Sequence, residues 1–142
     1  MNVSVCYYQA MRFLVVALLL ISSSATAGVG TLSEIVAADD GYTYGIGGGG
    51  KAYWLSGSRS GALRTGFVGE VLPGSGGAFL VGRGTVYFVI NGQARRLSIP
   101  GQVFRVIPSG SGSHLQAMED AGPAMWYHTP RSLSRVSESP AD

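Results

Sequence analysis

From Gly84 to Pro100 the chain reads GTVYFVINGQARRLSIP, in which five apolar or aromatic positions, Val86 to Ile90, meet Asn91-Gly92 and a shorter basic run follows. Asn-Gly tolerates positive φ at both central positions of a type I′ turn, so the pattern predicts a tight hairpin with strands over Thr85–Ile90 and Gln93–Ile99. Apolar runs on either side predict further strands over Ala78–Val81 and Gln102–Ile107. Pro73, Pro100 and Pro108 fall at the predicted strand ends, where a missing N–H removes no ladder bond. Pairing across Asn91-Gly92 sets Tyr87 opposite Arg96 and Phe88 opposite Arg95. Alternation then puts Val86, Phe88, Ile90 and Leu97 on one face, with Tyr87 and Arg96 on the other.

The same order of features occurs earlier in the chain. Ile35 to Ser56, IVAADDGYTYGIGGGGKAYWLS, lies over Ala78 to Ser98, AFLVGRGTVYFVINGQARRLS, with one residue deleted in the turn. Gly41 then falls on Gly84, Tyr44 on Tyr87, Ile46 on Val89, and Leu55-Ser56 on Leu97-Ser98. Downstream, GFVGEVLPGSGG (Gly66 to Gly77) matches GQVFRVIPSGSG (Gly101 to Gly112), and GPAMWY (Gly122 to Tyr127) resembles GTVYFV. Glycine coincidence accounts for some of these matches. It does not account for the aligned tyrosines, the Leu-Ser pairs or the two Val-x-Pro endings, which point to a repeat architecture.

The expected fold class is therefore all-β, built from two and a partial four-stranded antiparallel units. The units span about 35–77 and 78–112, with a partial third over 113–128. Asp40-Gly41, Tyr44, Gly50-Lys51 and Trp54 together resemble a blade motif of the β-propellers of the quinoprotein type. In the second copy Arg83 replaces the aspartate and Arg96 stands where the tryptophan belongs. The resemblance implies four-stranded blades and a scaffold or binding role. It does not imply the quinone, whose binding residues come from the centre of a complete ring. A ring needs about four to eight blades. Two and a fraction leave three arrangements: a small two-unit sandwich or barrel, the first expectation; a ring closed by several chains as a homo-oligomer; or a poorly folding relic.

Ahead of the repeats, MRFLVVALLLISSSATAG carries Arg12, an apolar run from Phe13 to Ile21, and Ala25-Thr26-Ala27. A basic start, a short apolar stretch and an A-x-A site make a secretory signal peptide over residues 1–27, cleaved between Ala27 and Gly28. The run falls short of the roughly 20 residues that span a bilayer, although an uncleaved anchor stays open. So does translation from Met11 instead of Met1. Residues 28–128 form the expected β-rich domain, exported to the periplasm or cell exterior without stable membrane insertion after cleavage. Residues 129–142, HTPRSLSRVSESPAD from His128 onward, read as a flexible polar tail.

Composition narrows the function classes. Cys6 is the single cysteine; it precedes the apolar run, where it cannot act as a lipoprotein cysteine, and cleavage leaves no disulfide framework. With 10 basic and 8 acidic residues there is no electrostatic footprint for nucleic acid. The 22 glycines interrupt apolar runs, as turns between strands do.

Candidate ligand-binding residues are Tyr87, Arg95 and Arg96, where guanidinium beside an aromatic ring suits a sugar, carboxylate or peptide. Tyr53, Trp54, Trp126 and Tyr127 join them as a stacking surface for glycans. The competing reading makes these ordinary cross-strand pairs and core aromatics. Catalysis has weak grounds. A metal site wants three or four ligands with consistent spacing, and HLQAMED, a loop-like segment, offers at most His114, Glu119 and Asp120. Asp39-Asp40 precede a glycine, which is turn chemistry. No catalytic residue, metal or cofactor is expected. The leading expectation is a non-enzymatic binding or scaffold module for a protein or carbohydrate partner. A self-assembling envelope protein with inter-chain closure is the second, and a small enzyme or inhibitor using the His114–Asp120 segment the third.

Overall fold

The computed structural model describes residues 31–136. The expected signal segment, with Ala27 and Gly28, lies outside the described residues. Twelve strands form three separate four-stranded antiparallel sheets, each in simple up-and-down order. Sheet 1 holds β1 (Leu32–Ala37), β2 (Thr43–Gly47), β3 (Ala52–Ser56) and β4 (Arg59–Ala62). Sheet 2 holds β5 (Glu70–Gly74), β6 (Gly77–Val81), β7 (Val86–Ile90) and β8 (Gln93–Arg96). Sheet 3 holds β9 (Gln102–Ser109), β10 (Gly112–Glu119), β11 (Gly122–Thr129) and β12 (Ser132–Arg135). The all-β, four-stranded-unit expectation is met. Among the described residues, no helix is long and apolar enough to cross a membrane.

The hairpin that anchors the pattern forms as its turn chemistry dictates. Asn91 and Gly92 take φ of 52° and 77°, and the register pairs Tyr87 with Arg96 and Phe88 with Arg95. Pro73 and Pro108 sit on β5 and β9, both edge strands, where no neighbour asks for their N–H.

The sheets do not close into a barrel, and their boundaries differ from the expected units. The Gly66–Gly77 and Gly101–Gly112 match sets β5 on β9, first strand on first strand. The Ile35–Ser56 and Ala78–Ser98 match is one strand out of step, because it lays β1 over β6. The tightest turns stay within a sheet. Two-residue turns at Ser75-Gly76 and Asn91-Gly92 keep strands in one sheet, the Ala38–Tyr42 connection does so as well, and the Leu63–Gly69 and Leu97–Gly101 segments cross to the next. Gln102–Ile107, expected to end the second unit, therefore opens sheet 3. The third unit is complete, and residues 132–135, read as tail, form its last strand.

The sheets stack in chain order, with β1 against β5 and β5 against β9. Two apolar clusters fill the gaps. Tyr44, Ile46 and Ala52 of sheet 1 meet Val71, Ala78, Leu80 and Val89 of sheet 2. On the opposite face Phe79, Val81, Val86 and Phe88 meet Val103, Leu115 and Ala117 of sheet 3. Strand β6 is buried along its whole length, since its alternating side chains feed both clusters. Sheet 2 is the centre of the molecule.

The outer face of sheet 1 is covered by its own side chains. Leu32 lies across Gly45, where a Cβ would stand 2.7 Å from Leu32 Cδ1 and 3.2 Å from the Glu34 carbonyl oxygen. Leu32 and Leu55 are thereby only 8% and 5% exposed, with Ile35 and Tyr53 packed on them. The outer face of sheet 3 is more open and polar, carrying His114, Gln116 and the half-exposed Met118.

Candidate functional site

The residues of the blade-like motif serve the seam between sheets 1 and 2. Asp40 follows β1 in a turn, and its Oδ1 accepts the Tyr42 backbone N–H at 2.9 Å, an Asx arrangement that fixes the corner. Its Oδ2 accepts both the Tyr44 hydroxyl at 2.6 Å and the Asn91 N–H of the neighbouring sheet at 2.8 Å. Gly92 N–H donates to Tyr44 Oη at 3.0 Å. The β7–β8 hairpin tip is thus bolted under Tyr42 and Trp54, whose rings meet edge-on at 5.7 Å. Burial and the Asp40 carboxylate both push the Tyr44 phenol well above its usual range. The carboxylate is saturated by structural donors, so the motif acts as a clamp between sheets.

The seven sequence-derived binding candidates do not meet on one platform. Tyr87, Arg96 and Trp54 belong to the first seam; Tyr87 Oη accepts the Gly66 N–H at 3.0 Å, and Trp54 packs on the first cluster. Arg95 projects from the opposite face of β8 toward sheet 3 and donates to the Pro130 carbonyl at 2.8 Å. Trp126 also faces this second seam, where its Nε1–H donates to Glu119 Oε2 at 2.8 Å and Arg135 lies 4.6 Å above its ring. Tyr53 lies on the outer face of sheet 1, and Tyr127 on the outer face of sheet 3 beside His114.

The HLQAMED segment is strand β10, not a loop. Successive residues of a strand point to opposite faces, so His114 faces outward with Tyr127 while Glu119 faces inward to Trp126. Glu119 is held below the usual carboxylate range by the Trp126 N–H and then by Arg135, with which it pairs at 2.9 Å. Among the described residues, no three His, Cys, Asp or Glu side chains gather as metal ligands.

Sequence reasoning gave no role to His128. It lies on β11, two residues beyond Trp126, and alternation turns it inward. The ring is 2% exposed, 4.4 Å from the Phe88 ring and 5.1 Å from that of Phe79, and its Nε2 has no hydrogen-bond partner. Burial, and then the positive charge of Arg95, lower its pKa to about 4. His128 also lines a cleft of about 360 Å³ between edge strands β8 and β12, with Arg95, Arg131, Ser98, Ser132 and Leu133. Among the described residues, no acidic residue lines the cleft. Among the described residues the one ion pair is Arg135–Glu119, so Arg95, Arg96 and Arg131 lack carboxylate partners there. The Thr129-Pro130-Arg131-Ser132 turn was the available signal, masked because the stretch resembles a disordered tail.

No protein-family model matches the chain, and no curated protein matches it.

Proposed function

We propose that this chain is an exported, non-enzymatic binding module whose rigid stack of sheets presents the rim between β8 and β12 to a partner. The carrying observation is the basic cleft at that rim, lined by Arg95 and Arg131. The other polar groups singled out from the sequence are engaged by the fold in part: Asp40 and Tyr44 clamp one seam, and Glu119 and Trp126 brace the third sheet. His114 and Glu119 project from opposite faces of β10, an arrangement unsuited to joint acid–base work. Clefts with a few convergent polar groups on a rigid scaffold are where partners bind. The test is a panel of acidic, neutral and basic peptides and oligosaccharides titrated against the chain starting at Gly28, read by amide NMR. Saturable shifts clustered on β8, β12 and their turns are expected. No saturable shift with any class contradicts the reading.

A second reading, self-assembly by closure between chains, draws on the two terminal sheets, each of which has a neighbour on one face only. It is the weaker one. Leu32 and Leu55 are already covered by their own sheet, so a partner would gain little apolar area there.

A further inference from the structure

We infer that the partner of the β8–β12 cleft is an extended acidic peptide, its carboxylates held by Arg95 and Arg131 and its backbone laid along the rim of two short edge strands. The inference rests on the binding-module reading and names the ligand class. Two independent features converge on it, and a third reports occupancy.

The first is charge. Arg95 and Arg131 line one cleft in which, among the described residues, no carboxylate stands. Arg95 is held by a 2.8 Å bond to the Pro130 carbonyl, which draws its guanidinium from β8 toward the β11–β12 turn that carries Arg131. Planar guanidinium groups match carboxylates in geometry, and a fixed one gives up less freedom on binding.

The second is backbone. Strands β8 and β12 are the last strands of adjacent sheets, four residues each, and among the described residues each has one edge without a paired strand. Such edges accept an added extended segment through main-chain hydrogen bonds, while side-chain contacts supply selectivity. A sugar polymer has no use for this feature, which is why a peptide is favoured over an acidic glycan.

The third is the buried floor. His128 is fully enclosed beneath the arginines, with Nε2 unpartnered. Its ring packs on Phe79 and Phe88 across the second seam, and it feels the charge of Arg95. A carboxylate brought to Arg95 offsets that charge, so His128 reports occupancy without touching the ligand.

The test uses fluorescein-labelled hexaglutamate as the probe, with oligogalacturonate and hexalysine as companions, against the chain starting at Gly28. Hexaglutamate is expected to bind saturably and more weakly as salt rises. Binding should fall by about tenfold or more in Arg131→Glu, an exposed turn position. The His128 ring, whose pKa burial and Arg95 hold low, should titrate at higher pH with peptide bound. Circular dichroism of Arg131→Glu, with Arg131→Ala as the milder variant, checks that the fold is retained. Peptide affinity unchanged in both variants overturns the proposal. Binding of oligogalacturonate without hexaglutamate also overturns it, while leaving the module reading intact. Absence of binding by all three, and by the wider panel, defeats both.

Discussion

Tyr44 donates its hydroxyl proton to Asp40 at 2.6 Å while accepting the Gly92 N–H at 3.0 Å, so one phenol connects a turn of the first sheet to a hairpin of the second. Tyr44 is fully buried, and the Asn91 N–H shares the same carboxylate oxygen. Tyr44→Phe keeps the ring but strips Gly92 of its acceptor. Urea unfolding is expected to give a loss of about 1–3 kcal/mol, the usual cost of leaving a buried polar group unpaired. A loss below a few tenths would mean that the clamp contributes nothing.

The centre of the molecule should be more sensitive than its ends. Phe79 is fully buried between Phe88, at 5.1 Å, and His128, at 5.1 Å. Phe79→Ala empties the second seam and should cost about 3–5 kcal/mol. The same unfolding measurement on Tyr53→Ala, on the outer face of sheet 1, should give a clearly smaller loss.

Stability should rise with pH across the acidic range because of His128. Its folded pKa of about 4 lies below the ordinary imidazole value of 6.5, so the unfolded chain binds the extra proton between those limits. The histidine's share is fully present above pH 6.5 and is lost as pH falls toward 4, on the order of 2–3 kcal/mol. Melts recorded at pH 4, 5, 6 and 7 should show this slope in the wild type. His128→Phe should flatten it.

Glu34 carries the opposite sign. Burial, and the nearby Glu70 charge, raise its pKa, against the opposing pull of a Val71 backbone hydrogen bond. Its ionised form is thus disfavoured in the folded state, and that penalty appears as pH rises through the folded pKa. Glu34→Gln removes it and should stabilise the protein at pH 7 by about 0.5 kcal/mol or less, because the group is partly solvated. The gain should vanish near pH 3.

Much of the fold is legible from local chemistry, and the misreadings have local causes. Asn91-Gly92 dictates its own turn, so the cross-strand partners of Tyr87 and Phe88 follow without tertiary information. Which sheet a strand joins does not follow from alternation. Strand β9 looks the same whether it closes the second sheet or opens the third, and its pairing with β10 places it in the third. Strand β12 is short, polar and exposed on most positions, as an edge strand is, which gives it the composition of a tail. The candidate site suffered from the same ambiguity. Arg95 was identified from its hairpin, but Arg131 and His128 reach the cleft only because sheet 3 packs on sheet 2, a contact 30 or more residues away in sequence. Tyr87 and Trp54, chosen for their aromatic surface, are spent on the other seam.

The central claim is that three sheets form a self-contained stack that carries its binding rim as a single chain. Light scattering on the chain starting at Gly28, over a wide concentration range, tests this most directly. The account predicts the mass of one copy throughout, since the outer face of sheet 1 is covered by Leu32 and Leu55 of the same sheet. A stable dimer or larger closed assembly would contradict it and would make inter-chain closure the function of the terminal sheets.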